Sequence, residues 1–98
     1  MIFPDSWRLI DKINFVQRKI LLNSIMYYQH DRNFISDFHY DDCCKKLVKL
    51  HKAYGPDFAD DSMYGYAFYD FDGSTGYHLY SRLTEEDKQW LGLIVQQK

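Results

Sequence analysis

The sequence predicts a mainly α single domain over residues 1–98, in which a helical hairpin and a C-terminal helix enclose an irregular, aromatic and acidic segment. Three observations carry this expectation. Two stretches, from Asp5 or Ser6 to about Tyr28 and from Ser36 to Tyr54, place apolar residues at three- and four-residue steps. Gly55-Pro56 supplies a stop signal, and Thr84 followed by Glu85, Glu86 and Asp87 supplies a later start. A chain of 98 residues, 46% hydrophobic, suffices for one compact core and is too short for the larger multilayer enzyme scaffolds.

In the first helix Trp7, Ile10, Ile13, Leu21, Ile25 and Tyr28 form the apolar stripe, interrupted only by Gln17. Arg8, Lys12 and Lys19 take the opposite face, and Asp5 or Ser6 is placed to accept from the free N–H groups of the first turn. His30-Asp31-Arg32-Asn33 breaks the pattern. Ser36 then stands as an N-cap, and Asp37 complements the dipole of the second helix. Tyr40, Cys43, Leu47, Leu50 and Tyr54 line that helix, with Lys45, Lys46, Lys49 and Lys52 supplying its charge. A short link between two amphipathic helices predicts an antiparallel hairpin over residues 8–54.

Residues 55–81 read as mostly irregular, with Tyr64 to Tyr69 open to a short strand of a β-hairpin or one helical turn. Asp72-Gly73-Ser74-Thr75-Gly76 is a turn signal. Residues 84–98 form the last helix, with Trp90, Leu91, Ile94 and Val95 on one face.

Charge is distributed unevenly. The net charge is -2, but residues 1–52 carry +3, residues 53–81 carry -5 with no Lys or Arg, and the remainder is balanced. The anionic stretch holds Asp57, Asp60, Asp61, Asp70 and Asp72 together with nine of the eighteen Phe, Trp and Tyr residues. No overall cationic field exists to grip phosphate backbones, which argues against direct nucleic-acid binding. No run approaches the length of a membrane span, and the N-terminal residues lack a signal-type apolar region, so the expected place is the cytoplasm. Adjacent Cys43 and Cys44 have no conventional disulfide partner, which suits a reducing compartment.

Catalytic and metal motifs are poorly matched. Asp70-Phe71-Asp72-Gly73-Ser74 resembles the nucleophile motif of haloacid-dehalogenase-type phosphatases, but only 26 residues follow Asp72 and no doubly wound sheet is predicted around it. As a calcium loop the same run fails, because Thr75 stands where glycine is needed and Ser81 where a bidentate carboxylate is needed. His30, His39, His51, His78 and the two cysteines include no ligand pair at zinc spacing. The expectation is a non-enzyme without a metal.

Tyr27-Tyr28-Gln29-His30-Asp31-Arg32-Asn33-Phe34-Ile35-Ser36-Asp37-Phe38-His39-Tyr40-Asp41 is the best-matched stretch. It resembles the N-terminal helical domain of bacterial NAD-dependent DNA ligases, over roughly residues 8–54. Tyr27 and Tyr28 match the leading aromatic pair, Asp31 the loop aspartate, Ile35, Ser36 and Asp37 the start of the second helix, and Tyr40 and Asp41 the final pair. Asn33 stands where the family has proline, and Tyr28 where many members have histidine. In that family the domain closes over the nicotinamide mononucleotide half of NAD. The resemblance therefore implies NAD or nicotinamide mononucleotide as cofactor, with Tyr27, Tyr28, Asp37, Tyr40 and Asp41 as its contacts. Small ligase-related proteins of phages and mobile elements in Gram-positive bacteria also look like this chain, with a weaker likeness around Phe71 to Gly76. No adenylation domain with its nucleophilic lysine is present, since Asp70 stands two before Asp72.

Two functions follow as expectations. The first is a non-catalytic phage or mobile-element protein, in the cytoplasm of an infected or lysogenic bacterium, that binds a host macromolecule. A nucleic-acid-binding enzyme would be a suitable host protein, and inhibition of a defence nuclease, in the anti-CRISPR manner, or of a replication enzyme a suitable outcome. Its candidate contacts are Asp57, Asp60, Asp61, Tyr64, Tyr66, Asp70 and Asp72, because Tyr anchors interfaces and carboxylates complement a cationic groove. The alternative is a sensor or accessory module for NAD or nicotinamide mononucleotide.

Overall fold

The computed structural model describes residues 3–30, 36–73 and 77–96, with the side chains of residues 27–30, 37, 77, 78, 95 and 96 outside the description. Its elements are α1 (Leu9–His30), α2 (Asp37–Tyr54), α3 (Phe58–Asp61), α4 (Gly65–Phe68), a 3-10 helix (Tyr77–Arg82) and α5 (Glu85–Gln96). Among the described residues there is no strand, and the mainly helical class with a hairpin and a C-terminal helix is as the sequence predicts.

Helix α1 starts later than expected. Asp5 and Ser6 lie in a turn closed by Trp7 N–H donating to the Pro4 carbonyl at 3.1 Å. The cap comes instead from Asp11, whose carboxylate reaches back to accept from Arg8 N–H at 2.9 Å, half of a capping box. Phe3, Trp7 and Phe15 form an aromatic cluster over this end, with centroids 5.5 to 6.1 Å apart.

Every residue from Ile20 to Met26 is buried, so α1 is enclosed on all sides over this stretch. A helix surrounded in this way is the centre of a small fold. It packs against α2, α5 and the 3-10 helix. Its polar residues there need partners, and Ser24 Oγ accordingly donates to the Ile20 carbonyl at 3.2 Å.

Helix α2 follows its sequence signals closely. Ser36 Oγ accepts from His39 N–H at 3.1 Å, and Gly55, at φ 100°, ends the helix with its N–H on the His51 carbonyl. A side chain is strained at that φ, so glycine is the fitting stop. Tyr40, Cys43, Cys44, Leu47 and Leu50 are buried against α1. Gln17 meets His51, residues about equally far from the link between the helices, so α1 and α2 run antiparallel. Fully burying a side chain such as Leu47 contributes about 1.5–3 kcal/mol.

Of the two alternatives for Tyr64 to Tyr69 the single helical turn is the one formed, as α4, while α3 and the 3-10 helix make the rest of the stretch more regular than the sequence predicts. Gly65 permits this compactness: a Cβ there would lie 2.6 Å from both the Phe58 carbonyl oxygen and Ser62 Oγ. Arg82 closes the far end, donating to the Ala67 carbonyl at 3.1 Å and pairing in a fork with Asp70 at 2.5 and 3.0 Å. In α5 the cap is Thr84, whose Oγ1 accepts from Asp87 N–H at 3.1 Å. Leu91 is buried and Ile94 half-buried, as expected. Trp90, however, is 56% exposed, because the inward arc is taken by Asp87, Leu91 and Ile94 and leaves Trp90 on the flank. With a radius of gyration of 12.8 Å the fold is as compact as a domain of this length should be.

Candidate functional site

Three places hold polar or aromatic side chains in arrangements that packing alone does not explain. The first is buried. Gln17, wholly inaccessible, accepts at Oε1 from Tyr64 N–H at 3.2 Å, which fixes the orientation of its amide. Its Nε2 then donates to Ser62 Oγ at 3.0 Å and to His51 Nε2 at 3.3 Å. Ser62 Oγ donates in turn to the Phe58 carbonyl at 2.5 Å. Nearby, Asn14 Oδ1 accepts from Met63 N–H at 2.7 Å. Together these bonds tie α2 and the α3–α4 link to the central helix. Because His51 Nε2 accepts, the ring proton sits on Nδ1, which has no partner. The ring stacks on Phe58, centroids 3.7 Å apart, and burial pushes its pKa down to about 4, so the imidazole is neutral at ordinary pH.

The second place is the acidic face. Asp57, Asp60, Asp61, Asp70 and Asp72 are all exposed. The carboxylates of Asp57 and Asp60 have no hydrogen bond or ion pair among the described residues, whereas Asp61 accepts from the Tyr54 hydroxyl at 2.6 Å and Asp70 is held by Arg82. The Asp61 contact pushes the Tyr54 pKa up. Of the predicted aromatic contacts, Tyr66 is partly exposed and donates its hydroxyl to the Asp87 carboxylate, while accepting from Thr84 N–H at 3.3 Å. Tyr64 is 1% exposed and belongs to the core, because its backbone is drawn inward by Gln17. Met63 and Tyr69 are exposed within the same segment, Tyr69 at 62% with the Arg82 guanidinium 4.9 Å from its ring centroid.

The third place, not anticipated from sequence, is a groove beside α2. A depression of about 480 Å³ is bounded by Lys45, Val48, Lys49 and Lys52 on one side and Asp72 and Gly73 on the other. It adjoins one of about 340 Å³ that shares Val48 and Lys52 and is walled by His51, Phe58, Tyr69 and Phe71. The i, i+4, i+7 spacing of the three lysines was readable; the aromatic wall brought opposite them was not.

Of the residues implied by the ligase resemblance, Tyr40 and Asp41 are described. Tyr40 is buried in the hairpin, and Asp41 is exposed and paired with Lys45 at 3.1 Å. The side chains of Tyr27, Tyr28 and Asp37, and all of Asp31 and Ile35, lie outside the described residues, as do Ser74 to Gly76. Cys43 and Cys44 are buried free thiols, and burial pushes the Cys44 pKa up to about 12, so the thiol stays protonated. Among the described residues no group of His, Cys, Asp and Glu is arranged to hold a metal, and no helix is long and apolar enough to cross a membrane. Comparison with family models, with curated proteins and with solved structures finds no match.

Proposed function

We propose that the chain is a non-catalytic binding protein of a phage or mobile element that docks its acidic face on the cationic surface of a host protein. A nucleic-acid-binding enzyme, such as a defence nuclease or replication enzyme, has the required surface, because a groove built for phosphate attracts carboxylates placed with similar spacing. The observation that carries this reading is the exposure of Asp57 and Asp60 without an internal partner, beside Met63 and Tyr69. Carboxylates alone give steering and specificity; the adjoining exposed Met and Tyr supply apolar contact of the kind enriched at interfaces. Asp70 is committed to Arg82, Tyr66 to Asp87 and Tyr64 to the core, and Asp72 lines the lysine groove, so the contact set narrows to Asp57, Asp60, Asp61, Met63 and Tyr69.

Affinity capture from bacterial lysate with the tagged full chain, beside Asp57→Lys/Asp60→Lys, tests this. The wild-type chain is expected to retain a stoichiometric partner that the charge-reversed chain loses. Equal recovery of that partner by both chains, with equal urea midpoints, contradicts the proposal.

The alternative, a module for NAD or nicotinamide mononucleotide, draws on Asp41, whose exposed pair with Lys45 is weak enough to be exchanged for a ligand. Calorimetric titration with either compound, beside Tyr40→Ala and Asp41→Ala, tests it; no heat at about 1 mM ligand removes it.

A further inference from the structure

The groove shares Tyr69 with the proposed docking face, but the lysines that mark it, Lys49 and Lys52, belong neither to that face nor to the Tyr40 and Asp41 site. Lys49 lies eight residues beyond Asp41 on α2, roughly 12 Å along the helix axis. Lys49 and Lys52 have no carboxylate within 4.0 Å among the described residues, and Lys45 is held by a surface pair. Asp72 is the one carboxylate among the lining residues, so the lysine end carries excess positive charge within a chain of net charge -2. At the other end the wall is aromatic, with Phe58, Tyr69 and Phe71. His51 completes that wall, 6% exposed, with a protonated Nδ1 that has no partner.

We propose that this groove binds a nucleoside phosphate, with the phosphate on Lys49 and Lys52 and the base against the Tyr69 and Phe71 rings. Lysine ammonium groups hold phosphate as point charges, and any nucleobase offers a flat π-face to an aromatic wall. The volumes are those of a small-molecule cleft. Val48 lines both depressions and so marks where the two ends join.

The test is an amide NMR titration of the full chain with adenosine and uridine 5′-monophosphates, the two nucleosides, and inorganic phosphate. Either nucleotide is expected to shift the Val48, Lys52, Gly55, Tyr69 and Gly73 signals saturably, with nucleoside or phosphate alone at least ~10-fold weaker. Lys49→Gln/Lys52→Gln is expected to weaken nucleotide binding at least ~10-fold, and Tyr69→Ala several-fold, with the dispersion of the spectra unchanged. The proposal is overturned by the absence of saturable shifts at about 10 mM nucleotide, or by equal binding in the lysine variant. Shifts confined to Tyr40 and Asp41 overturn it too, while leaving the alternative of a module for NAD or nicotinamide mononucleotide standing.

Discussion

Gln17 interrupts the apolar stripe of α1, yet it is wholly buried and holds three segments together through Tyr64, Ser62 and His51. Gln17→Leu keeps comparable size but strips partners from the Tyr64 N–H, Ser62 and His51. It should cost about 2–4 kcal/mol in a urea unfolding experiment. His51 predicts a pH effect whose sign is fixed by its depressed pKa. The unfolded chain takes up a proton near the ordinary value of 6.5, the folded chain only near 4. Stability from this group is therefore complete above that ordinary value and is lost as pH falls between the two. The loss should be about 2 kcal/mol after allowance for solvent screening, and His51→Gln should flatten the profile over that window. Gln17 was visible in the sequence as a break in the pattern. Its role was not, because its partners lie 34 to 47 residues away and no local spacing announces them.

At the scale of elements, α1, α2 and α5 were legible because each is long enough to repeat its pattern over several turns. Ser36, Gly55 and Thr84 mark their ends with side-chain or glycine chemistry that acts locally. Ser36→Ala should cost about 1 kcal/mol, read from the thermal or urea midpoint. Helices α3 and α4 have four residues each, too few for a period, and their conformation is set by bonds to Asn14 and Gln17 on α1. Gly65 is the sharpest test of that arrangement. Because a Cβ would press on backbone carbonyls of α3, Gly65→Ala should destabilise by about 2 kcal/mol or more, whereas Gly92→Ala, with open space around it, should leave stability unchanged or raise it slightly.

For the whole molecule, the separation of charge along the chain becomes a separation of surfaces: aspartates around α3 and lysines along α2. The acidic face was foreseen from the absence of Lys and Arg in residues 53–81. Which of its carboxylates are free to meet a partner was not, since Arg82, just beyond that stretch, folds back onto Asp70. The groove was hidden for the same reason, being formed by a helix and a segment about 20 residues apart in sequence. The most direct measurement is the affinity of the recovered host protein for the wild-type chain and for Asp57→Lys/Asp60→Lys, each at low and high salt. An acidic docking face predicts at least ~10-fold weaker binding by the variant and a smaller salt dependence than the wild type shows. Equal affinities with equal salt dependence would contradict it.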